Sequence, residues 1–441
     1  MRMIPAPLAR SAAALSATAL SAALIAPAAQ AQEAPSPARL KATVEKLVGF
    51  GTRHTLSDTT SETRGIGAAR RWAMAELSRI GDACDCIEVA NIGQTFTGPR
   101  APGGVEVVDV LGFQQGRDPR RVVIVMGHID SRVSDVMDAT SDAPGANDDA
   151  SGVAVVIEAA RILSKEKFDA TVVYAVVSGE EQGLWGGQLL AETAKARGWS
   201  VVAVLNNDIV GNTVGTDGRV VADRVRVFSE GARASEDLPG QIARRGDGGE
   251  DDGPSRALAK TVDHVAESIP GGLDVFVDRR PDRFGRGGDH EPFLRLGYPA
   301  IRFSVGVENY HWQHQDLRTE GGIAYGDTVA NMDFDYLAKV AAINVATIRR
   351  LAKAPPAPER VTLGGALMSD TPVKWEASPG AVGYRVHWRR NDQQDWTDHV
   401  DVTGTETVLK GVIVDDTFVG VSALAADGSE SIVTFGGRPR R

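Results

Sequence analysis

The chain has 441 residues, of which 42% are hydrophobic and 24% are charged, a composition typical of a globular protein with a large buried core. Its formal net charge of -10 argues against nucleic acid as a partner, because phosphate binding requires a basic surface. The length exceeds that of one ordinary domain, so we expect two or three structural units.

Residues 1–31 have the features of a secretory signal peptide. Arg2 and Arg10 flank the start of an Ala- and Leu-rich stretch, and the Ala-Gln-Ala at residues 29–31 matches a small-residue cleavage site. The alternative, an uncleaved membrane anchor, is disfavoured because the apolar stretch is short and contains Pro27. We therefore predict a secreted or periplasmic protein with no transmembrane anchor after signal removal.

The chain contains two cysteines, Cys84 and Cys86. An exported protein tolerates disulfides, so we expect either a small local disulfide or two free thiols. Two thiolates separated by one residue, without further Cys or a suitably spaced His, make a poor zinc site. We attach no function to this pair.

Apolar residues at helical spacing predict two helices, within residues 36–55 and 61–82. After residue 105, short apolar runs alternate with longer amphipathic segments. The predicted strands here are residues 122–127, 171–177 and 201–206, and the predicted helices are residues 151–163 and 187–198. This alternation indicates βαβ units, which build a mostly parallel sheet covered by helices on both faces.

The segment from Ser229 to Ser255 is rich in Gly and charged residues and predicts a solvated loop with no core of its own. The helix and strand pattern then resumes, with elements predicted at residues 256–268, 273–278, 290–297 and 299–306. We therefore expect residues 32–352 to form one α/β domain.

The C-terminal part has a different periodicity. Residues 353–360 are rich in Pro and predict a linker, and residues 361–441 contain short runs in which apolar residues such as Tyr384 and Val386 alternate with polar ones. Such runs, separated by turn residues, predict a small all-β sandwich. Its arrangement of Trp375, the strand around Tyr384 and a final GVSALAADGSES resembles a fibronectin type III module.

The residues that can carry chemistry follow the predicted strands or begin the next helix. They are His128, Asp130, Asp148, Glu180, Glu181 and Asp208. Ligands of such sheets collect at the carboxyl ends of the strands, so we expect these side chains to meet. A pair of divalent metals needs one carboxylate to bridge the ions and His or carboxylate ligands to complete each shell. Any one carboxylate alone is equally well a helix cap or a surface charge, but together they favour a two-metal site.

We assign Asp148 as the bridge, because it begins a helix, where a carboxylate is favoured and presents both oxygens. His128 is a predicted metal ligand. Asp130, two residues later, is expected to accept a hydrogen bond from the other ring nitrogen of His128 and to fix its tautomer.

Glu180 and Glu181 are adjacent, and in a regular strand they would face opposite ways. Gly179 and Gly183 on either side permit a turn that brings both carboxylates to the site. We predict that Glu180 is the general base and Glu181 a ligand, with Asp208 completing the shell of the other metal.

With these motifs the chain resembles the M28 family of zinc peptidases. The resemblance extends from about Leu40 to Leu351 and rests on GHIDS, GANDDASG, the Glu-Glu pair followed by QGLWGG, Asp208 in NNDIVGN, and GDHEPFLRLGYPAIRF around His290. It implies a phosphorylase/hydrolase-like α/β/α sandwich, two Zn²⁺ ions as cofactors, and exopeptidase cleavage of peptide substrates.

The resemblance also implies a last His ligand, and in ENYHWQHQDLR the pattern departs from the simple family form. His314 fits the His-and-Asp context and is favoured. His311 is the alternative, because Tyr310-His311 resembles a Tyr-His pair that supplies an oxyanion-stabilising hydroxyl in some relatives. His290 is expected either near the pocket or as a helix cap.

The combined prediction is an exported two-zinc aminopeptidase in which Glu180 deprotonates a bridging water. A carboxypeptidase of the same fold is the alternative, and Arg283, Arg286 or Arg302 would then hold the substrate carboxylate. A glutaminyl cyclase-type reaction is disfavoured by the complete ligand set. A non-catalytic binding protein is disfavoured for the same reason. The oligomeric state stays open.

Overall fold

The main sheet of the protein has eight strands. In this computed structural model, which describes residues 33–439, the strands in chain order are β1 (Glu88–Gly98), β2 (Ala101–Gln114), β3 (Asp118–His128), β4 (Ala170–Val177), β5 (Ser200–Asn207), β6 (Arg224–Phe228), β7 (Asp274–Asp278) and β8 (Ala300–Val305). Their order across the sheet is β1-β2-β4-β3-β5-β8-β6-β7. Four of the seven pairings are parallel, including the central β4-β3-β5-β8 block. The predicted signal peptide lies outside the described residues.

Helices cover both faces of this sheet. They are α1 (Pro37–Val48), α2 (Gly65–Asp82), α3 (Ala150–Leu163), α4 (Glu180–Gly183), α5 (Trp185–Ala196), α6 (Leu238–Asp247), α7 (Pro254–Glu267), α8 (Glu291–Arg295) and α9 (Phe334–Lys353). One apolar cluster joins α1, α2, α3, α7 and α9 to one face, and another packs α5 and α8 against the opposite face. The predicted α/β fold with helices on both faces is confirmed. None of the helices in residues 33–439 is long and apolar enough to cross a membrane.

The central strands form because their sequences suit burial on both faces. Every residue of β4 is buried, and β3 is buried from Arg121 to its end, as expected for Val-rich parallel strands without polar alternation. The edge hairpin of β1 and β2 and the short strand β6 were not among the predicted elements. They carry mixed exposed and buried positions, which weakens the periodic signal.

The prediction of a loop throughout residues 229–255 was wrong for the part that forms α6. Asp237 caps the start of this helix by accepting from the backbone N–H of Gly240 at 2.8 Å, and Gly248 ends it in the left-handed conformation. Most α6 side chains are exposed, so the helix contributes little to the core. Its stability depends on the capping interactions at its two ends. The segment therefore forms a helix, although this helix buries no apolar face.

Cys84 and Cys86 are joined by a disulfide, the first of the two expected alternatives. The bond closes a short turn between α2 and β1.

The C-terminal part is an antiparallel sandwich. Its strands are β11 (Thr362–Leu363), β12 (Thr371–Lys374), β13 (Gly383–Arg390), β14 (Asp398–Val402), β15 (Glu406–Leu409), β16 (Thr417–Leu424) and β17 (Thr434–Phe435), which follow a small hairpin of β9 (Arg318–Glu320) and β10 (Ile323–Tyr325). Three of these strands form one sheet and four form the other. Trp375, Tyr384 and their apolar neighbours fill the space between them. The predicted all-β sandwich is confirmed, and the fibronectin type III resemblance stays a prediction.

This sandwich is attached to the α/β part by buried charges. Arg389 in β13 lies 2.6 Å from Asp252, and both side chains are at most 2% exposed. Lys260 of α7 contacts the same Asp252 carboxylate at 3.0 Å. The rings of Phe418 and Phe435 pack where Gly248 and Gly249 leave no side chain in the way. The two parts therefore share one interface that combines an ion pair with aromatic packing.

A second ionic contact predicts acid sensitivity of this interface. Glu430 accepts from Arg350 of α9 at 3.0 Å and from Ser422 at 2.6 Å, and it lies 2.9 Å from His387. Burial opposes ionisation of Glu430, but these partners outweigh it and lower its pKa to about 2. Because the folded pKa lies below the unfolded value, the stabilisation is complete above about pH 4.5 and is lost as the pH falls towards 2.

We expect Glu430→Gln to remove roughly 3 kcal/mol of pH-dependent stability, at about 1.4 kcal/mol for each pKa unit. Urea unfolding of both proteins between pH 2 and 6 measures this difference. Glu376→Gln, which changes an exposed carboxylate of the same sandwich, is the control and should follow the parent curve. Parallel pH profiles for the parent and the Glu430 variant would contradict the prediction.

Candidate metal centre

The predicted site residues converge at one edge of the main sheet. His128 ends β3, Asp208 follows β5, and Glu180 and Glu181 begin α4 after β4. Their donor atoms form two groups, within each of which the atoms lie no more than 4.8 Å apart. The first group is His128, Glu180 and Asp208, and the second is Asp148, Glu181 and His314.

Asp148 lies between the two groups. Its Oδ1 is 3.2 Å from Nε2 of His128, and its Oδ2 is 2.9 Å from Nε2 of His314. The two oxygens of one carboxylate therefore face different imidazoles. This is the arrangement that a bridging carboxylate requires.

Asp149 holds the strand ends around Asp148. Its Oδ2 accepts from the backbone N–H of His128 at 3.0 Å, and its Oδ1 accepts from the backbone N–H groups of Gly152 at 2.9 Å and Ile209 at 3.3 Å. One buried side chain thus joins the end of β3, the start of α3 and the end of β5. Sequence reasoning assigned Asp149 no role, although its position as helix N-cap was a usable signal.

Two glycines permit this close approach. A Cβ on Gly152 would lie 2.1 Å from the carbonyl oxygen of Asn207, and one on Gly127 would lie 2.6 Å from the backbone of Gly152. The first turn of α3 therefore packs directly against β3 and β5. A side chain at either position would collide with this backbone and with the carboxylate of Asp149.

Asp130 contacts His128 differently from the prediction. The ring Nδ1 of His128 lies 3.1 Å from the backbone carbonyl of Asp130, and the carboxylate is farther away at 3.6 Å. The carboxylate instead accepts from the hydroxyl of Thr55 at 3.0 Å and from the backbone N–H groups of Glu180 and Glu181 at 3.3 and 3.1 Å. Asp130 therefore fixes the turn that carries the two glutamates.

This turn brings both glutamates to the site, as predicted. Gly179 precedes it with a φ of +78°, a conformation that glycine adopts without strain. Glu181 Oε1 lies 3.0 Å from Nε2 of His314, and Glu181 Oε2 lies 2.8 Å from Arg132. Glu180 falls in the other group, beside His128.

His314, and not His311, belongs to the second group. Its backbone has a φ of +54°, which turns the side chain of a non-glycine residue inwards at a conformational cost. Nη2 of Arg132 lies 2.6 Å from Nδ1 of His314, so Arg132 contacts both Glu181 and this imidazole. His311 packs against Tyr325 with ring centroids 5.1 Å apart. Tyr310 is exposed and lines no part of the site cavity.

Arg302 was predicted as a possible holder of a substrate carboxylate, and the structure corrects this. Its side chain is fully buried, with Nη2 2.7 Å from Asp208 and Nη1 3.0 Å from Asp282. Burial raises the pKa of Asp208 to about 6, while Arg302 and His128 lower it. Arg302 therefore orients Asp208 and does not reach the cavity.

His290 is buried, with Nε2 2.7 Å from the carbonyl oxygen of Pro281. It occupies the N-cap position of α8, but its side chain makes no capping hydrogen bond. Its neighbour Asp289 accepts from the backbone N–H of Gly187 at 3.0 Å. The motif around His290 therefore ties α8 to α5 behind the site.

The donor set fits metal ions. Nε2 of His128 and Oε1 of Glu181 are buried without a hydrogen bond of good geometry to any described residue, although both point at other donors of the site. Buried polar atoms are normally satisfied, so such atoms indicate an absent partner. Imidazole nitrogens and carboxylate oxygens that lie close together are typical zinc ligands.

A cavity of about 630 Å³ opens beside these residues. It is lined by Pro99, Arg100, Arg132, Asp148, Glu180, Glu181, Gln182, Gly183, Leu184, Asp208, Arg283, Gly285, Arg286, Gly287, Glu291 and His314. The tip of the β1-β2 hairpin forms one wall, and the loop before α8 forms another.

The sequence profile of Peptidase family M28 matches residues 109–343. This chain belongs to peptidase family M28. A probable zinc metalloprotease from Leptosphaeria maculans is 42% identical to this M28 chain over 408 residues, which span 91% of this chain and 94% of the relative. A probable zinc metalloprotease from Pyrenophora teres f. teres is 40% identical over 412 residues, which span 90% of this chain and 84% of the relative.

Solved structures share the fold of this M28 chain. LapB from Legionella pneumophila superposes with a TM-score of 0.53 and 16% identity, covering 71% of this chain and 72% of LapB. The aminopeptidase from Aneurinibacillus sp. strain AM-1 gives a TM-score of 0.51 and 14% identity, covering 73% of this chain and 95% of that protein. Porphyromonas gingivalis glutaminyl cyclase gives a TM-score of 0.51 and 19% identity, covering 71% of this chain and 98% of the cyclase. At these identities the comparison concerns architecture alone.

The contacts of Asp149 allow a test of whether its carboxylate positions the metal ligands. In Asp149→Asn, Oδ1 still caps α3 and still accepts from Ile209, but the amide that replaces Oδ2 faces the N–H of His128. Two donors then oppose each other, so we expect zinc affinity to fall roughly 10- to 100-fold, the usual range for residues that orient ligands.

Zinc competition against a calibrated chelator measures this change. Asp237→Asn is the matched control, because it makes the same substitution at the N-cap of α6, a helix that carries no residue of the donor groups or the cavity lining. Equal zinc affinity in the parent and the Asp149 variant, with both folded by circular dichroism, would show that this carboxylate does not organise the centre.

Proposed function

We propose that this protein is an exported dinuclear zinc exopeptidase that removes N-terminal residues from peptides. The observation that carries the proposal is Asp148, whose two oxygens face two separate groups of donors. Family membership supports peptides as substrates. The names of the relatives support zinc as the metal.

In this proposal Asp148 would contribute to both metal positions. His128 and Asp208 would hold the first ion, and Glu181 and His314 would hold the second. Zinc bound there supplies Lewis acidity, which polarises the scissile carbonyl and makes a water molecule easier to deprotonate. Arg132 and Arg302 keep Glu181 and Asp208 in place through the ion pairs described above.

Glu180 is the proposed general base. It lines the cavity and lies among the donors of the first group, within reach of a water molecule between the two groups. Burial raises the pKa of its carboxyl well above the usual range, and His128 opposes this shift. A raised pKa makes the carboxylate a stronger base towards water, and the protonated carboxyl then has a proton to pass to the leaving amine.

The walls of the cavity support cleavage at a chain end. The hairpin tip at Pro99 and Arg100 and the loop at Gly285 to Gly287 limit the space beside the donors. Glu291 adds a carboxylate that is not part of either donor group and suits a substrate ammonium. Solved structures with this fold include proteins named aminopeptidases, and for that reason an N-terminal substrate is chosen for the first test.

Export is proposed from the signal-like residues 1–31 and gains support from the disulfide of Cys84 and Cys86, since disulfides persist in oxidising compartments. Cleavage at the carboxyl end is a second candidate, favoured by the arginines of the cavity wall. Peptides blocked at one end distinguish the two.

Glu180→Gln tests the mechanism. It keeps the size of the side chain and removes its basicity, so we expect turnover to fall by roughly 10²- to 10⁴-fold while zinc content stays near two ions per chain. Metal analysis and hydrolysis of leucyl-p-nitroanilide measure the two quantities. Glu192→Gln, an exposed carboxylate on α5, is the control and should match the parent in both. Full activity of the Glu180 variant would exclude Glu180 as the base.

Chelation and terminal blocking test the reaction class. We expect a chelator to abolish activity, zinc to restore it, and N-acetylation of the substrate to prevent cleavage, because the free ammonium is part of what is recognised. Rates on acetylated and free peptides with identical sequences measure the effect. Cleavage of acetylated peptides from the carboxyl end would reverse the N-terminal assignment.

A further inference from the structure

The strand β7 lies at one end of the main sheet and has a free edge. Among the described strands its neighbour is β6, with which it pairs in parallel register. The N–H of Asp274 and the carbonyl of Asp278 bond to backbone groups next to β6. Because alternate residues of a strand direct their N–H and C=O groups to opposite sides, those of Val275 and Val277 point away from the sheet. The edge therefore presents two backbone donors and two acceptors.

A groove of about 450 Å³ follows this edge, and we call it the β7 groove. Its lining includes β7 from Asp274 to Val277, side chains of α7, and Asp395 from a loop of the β-sandwich. Val275 belongs to the apolar cluster that contains α7, so Asp274 and Phe276 face the opposite side of the sheet. Phe276 is 49% exposed. The groove therefore gives solvent access to the free edge.

The cations that line the β7 groove already have an anionic partner. Arg256 and Lys260 of α7 both contact Asp251, and their side chains are 2% and 9% exposed. Arg279 is more exposed and lies 3.2 Å from the same carboxylate. The positive charge of the lining is therefore shared around Asp251, and most of it is buried.

Three other carboxylates of the lining lack such a partner. Asp263 of α7, Asp274 of β7 and Asp395 of the sandwich form no ion pair with any residue in the described part of the chain. Burial, followed by Glu267, Asp395 and Asp274, raises the pKa of Asp263 to about 7, because neighbouring carboxylates oppose its ionisation. These carboxylates are not among the described groups whose donor atoms lie within 4.8 Å of one another. Their spacing therefore suits basic side chains better than one metal ion.

We propose that the free edge of β7 binds an extended, basic segment of a partner protein as an additional strand. Backbone hydrogen bonds to Val275 and Val277 hold the segment, as in other complexes formed by strand addition. Successive residues of a strand point to opposite sides of the sheet. Lys or Arg side chains of the segment therefore contact Asp263 on the side of α7 and Asp274 on the other side. The binding is independent of the proposed peptidase function, because it uses neither donor group nor the site cavity.

A second copy of this chain is a poor occupant of the same edge. Pairing of β7 with β7 across a two-fold axis brings the unpaired carboxylates of both copies to one interface. Like charges that face one another across a strand pair destabilise it. The charge of the β7 groove therefore favours a basic partner over self-association.

Blocked peptides test strand addition with the full-length protein. The probe is fluoresceinyl-Val-Lys-Lys-Val-Lys-Lys-Val-amide, which has Lys on both sides when extended and no free terminus for an exopeptidase. Its Glu counterpart reverses the charge. A third peptide carries N-methyl groups on two adjacent central residues of the Lys sequence, so that neither of its edges can pair. Fluorescence anisotropy at pH 8, above the pKa of Asp263, measures binding. We expect the Lys peptide to bind roughly 10-fold or more tightly than the other two.

Variants of the protein locate the binding. Asp263→Asn and Asp274→Asn should each weaken binding of the Lys peptide by roughly 3- to 10-fold. Asp82→Asn, which changes an exposed carboxylate at the end of α2, is the control and should bind like the parent. Val277→Pro removes an outward N–H and keeps the pairing with β6, so it should weaken binding roughly 10-fold. Thermal melting checks its folding, and the N-methylated peptide probes the same hydrogen bonds without changing the protein.

Hydrogen exchange gives the direct readout. Slower exchange of the Val275 and Val277 amides with bound Lys peptide, together with weaker binding in both Asp variants, supports the proposal. Several results overturn it. These are absence of binding, equal affinity for the Lys and Glu peptides, affinity that survives N-methylation or both Asp substitutions, and unchanged exchange at β7. Self-association of the free protein that Val277→Pro abolishes also overturns it, because the edge is then occupied by a second copy.

Discussion

The centre depends on one buried carboxylate, that of Asp149, which belongs to neither donor group. Asp149 accepts backbone N–H groups from the end of β3, the start of α3 and the residue after Asp208. These three points carry His128, Asp148 and Asp208. Because each accepted bond fixes a backbone segment, the positions of the donors follow from main-chain geometry more than from side-chain packing. Two glycine contacts permit the short separations this requires.

Sequence reasoning located most of the site because its residues follow strong local signals. His128, Glu181 and Asp208 lie at or shortly after the ends of Val-rich runs, whose burial on both faces makes strands easy to predict. The same reasoning favoured His314 as the last ligand but left His311 open as the alternative. That choice depends on a left-handed turn at His314, and a local pattern carries no information about which of two nearby imidazoles such a turn directs inwards.

Contacts between distant segments were beyond the reach of the sequence. Arg302 was considered for substrate binding because its charge is visible, but its burial against Asp208 and Asp282 follows from the position of β8 between β5 and β6. Asp130 was placed correctly at the site, yet its main partners are backbone groups of the α4 turn. The residue types were therefore enough to predict a metal site. Which residues contact one another depends on the strand order of the sheet, which the sequence did not reveal.

The joint between the sandwich and the α/β part has a further consequence. Asp252 is buried between Arg389 and Lys260. The rings of Phe418 and Phe435 pack against Gly248 and Gly249. Removing the residues after α9 would expose the surface at Gly248 and Gly249 against which the two rings pack. It would also remove Arg389, one of the two cationic partners of Asp252. The C-terminal module is thus poorly suited to exchange between unrelated proteins as an independent cassette. A change in the packing on one side of this interface therefore requires a matching change on the other side.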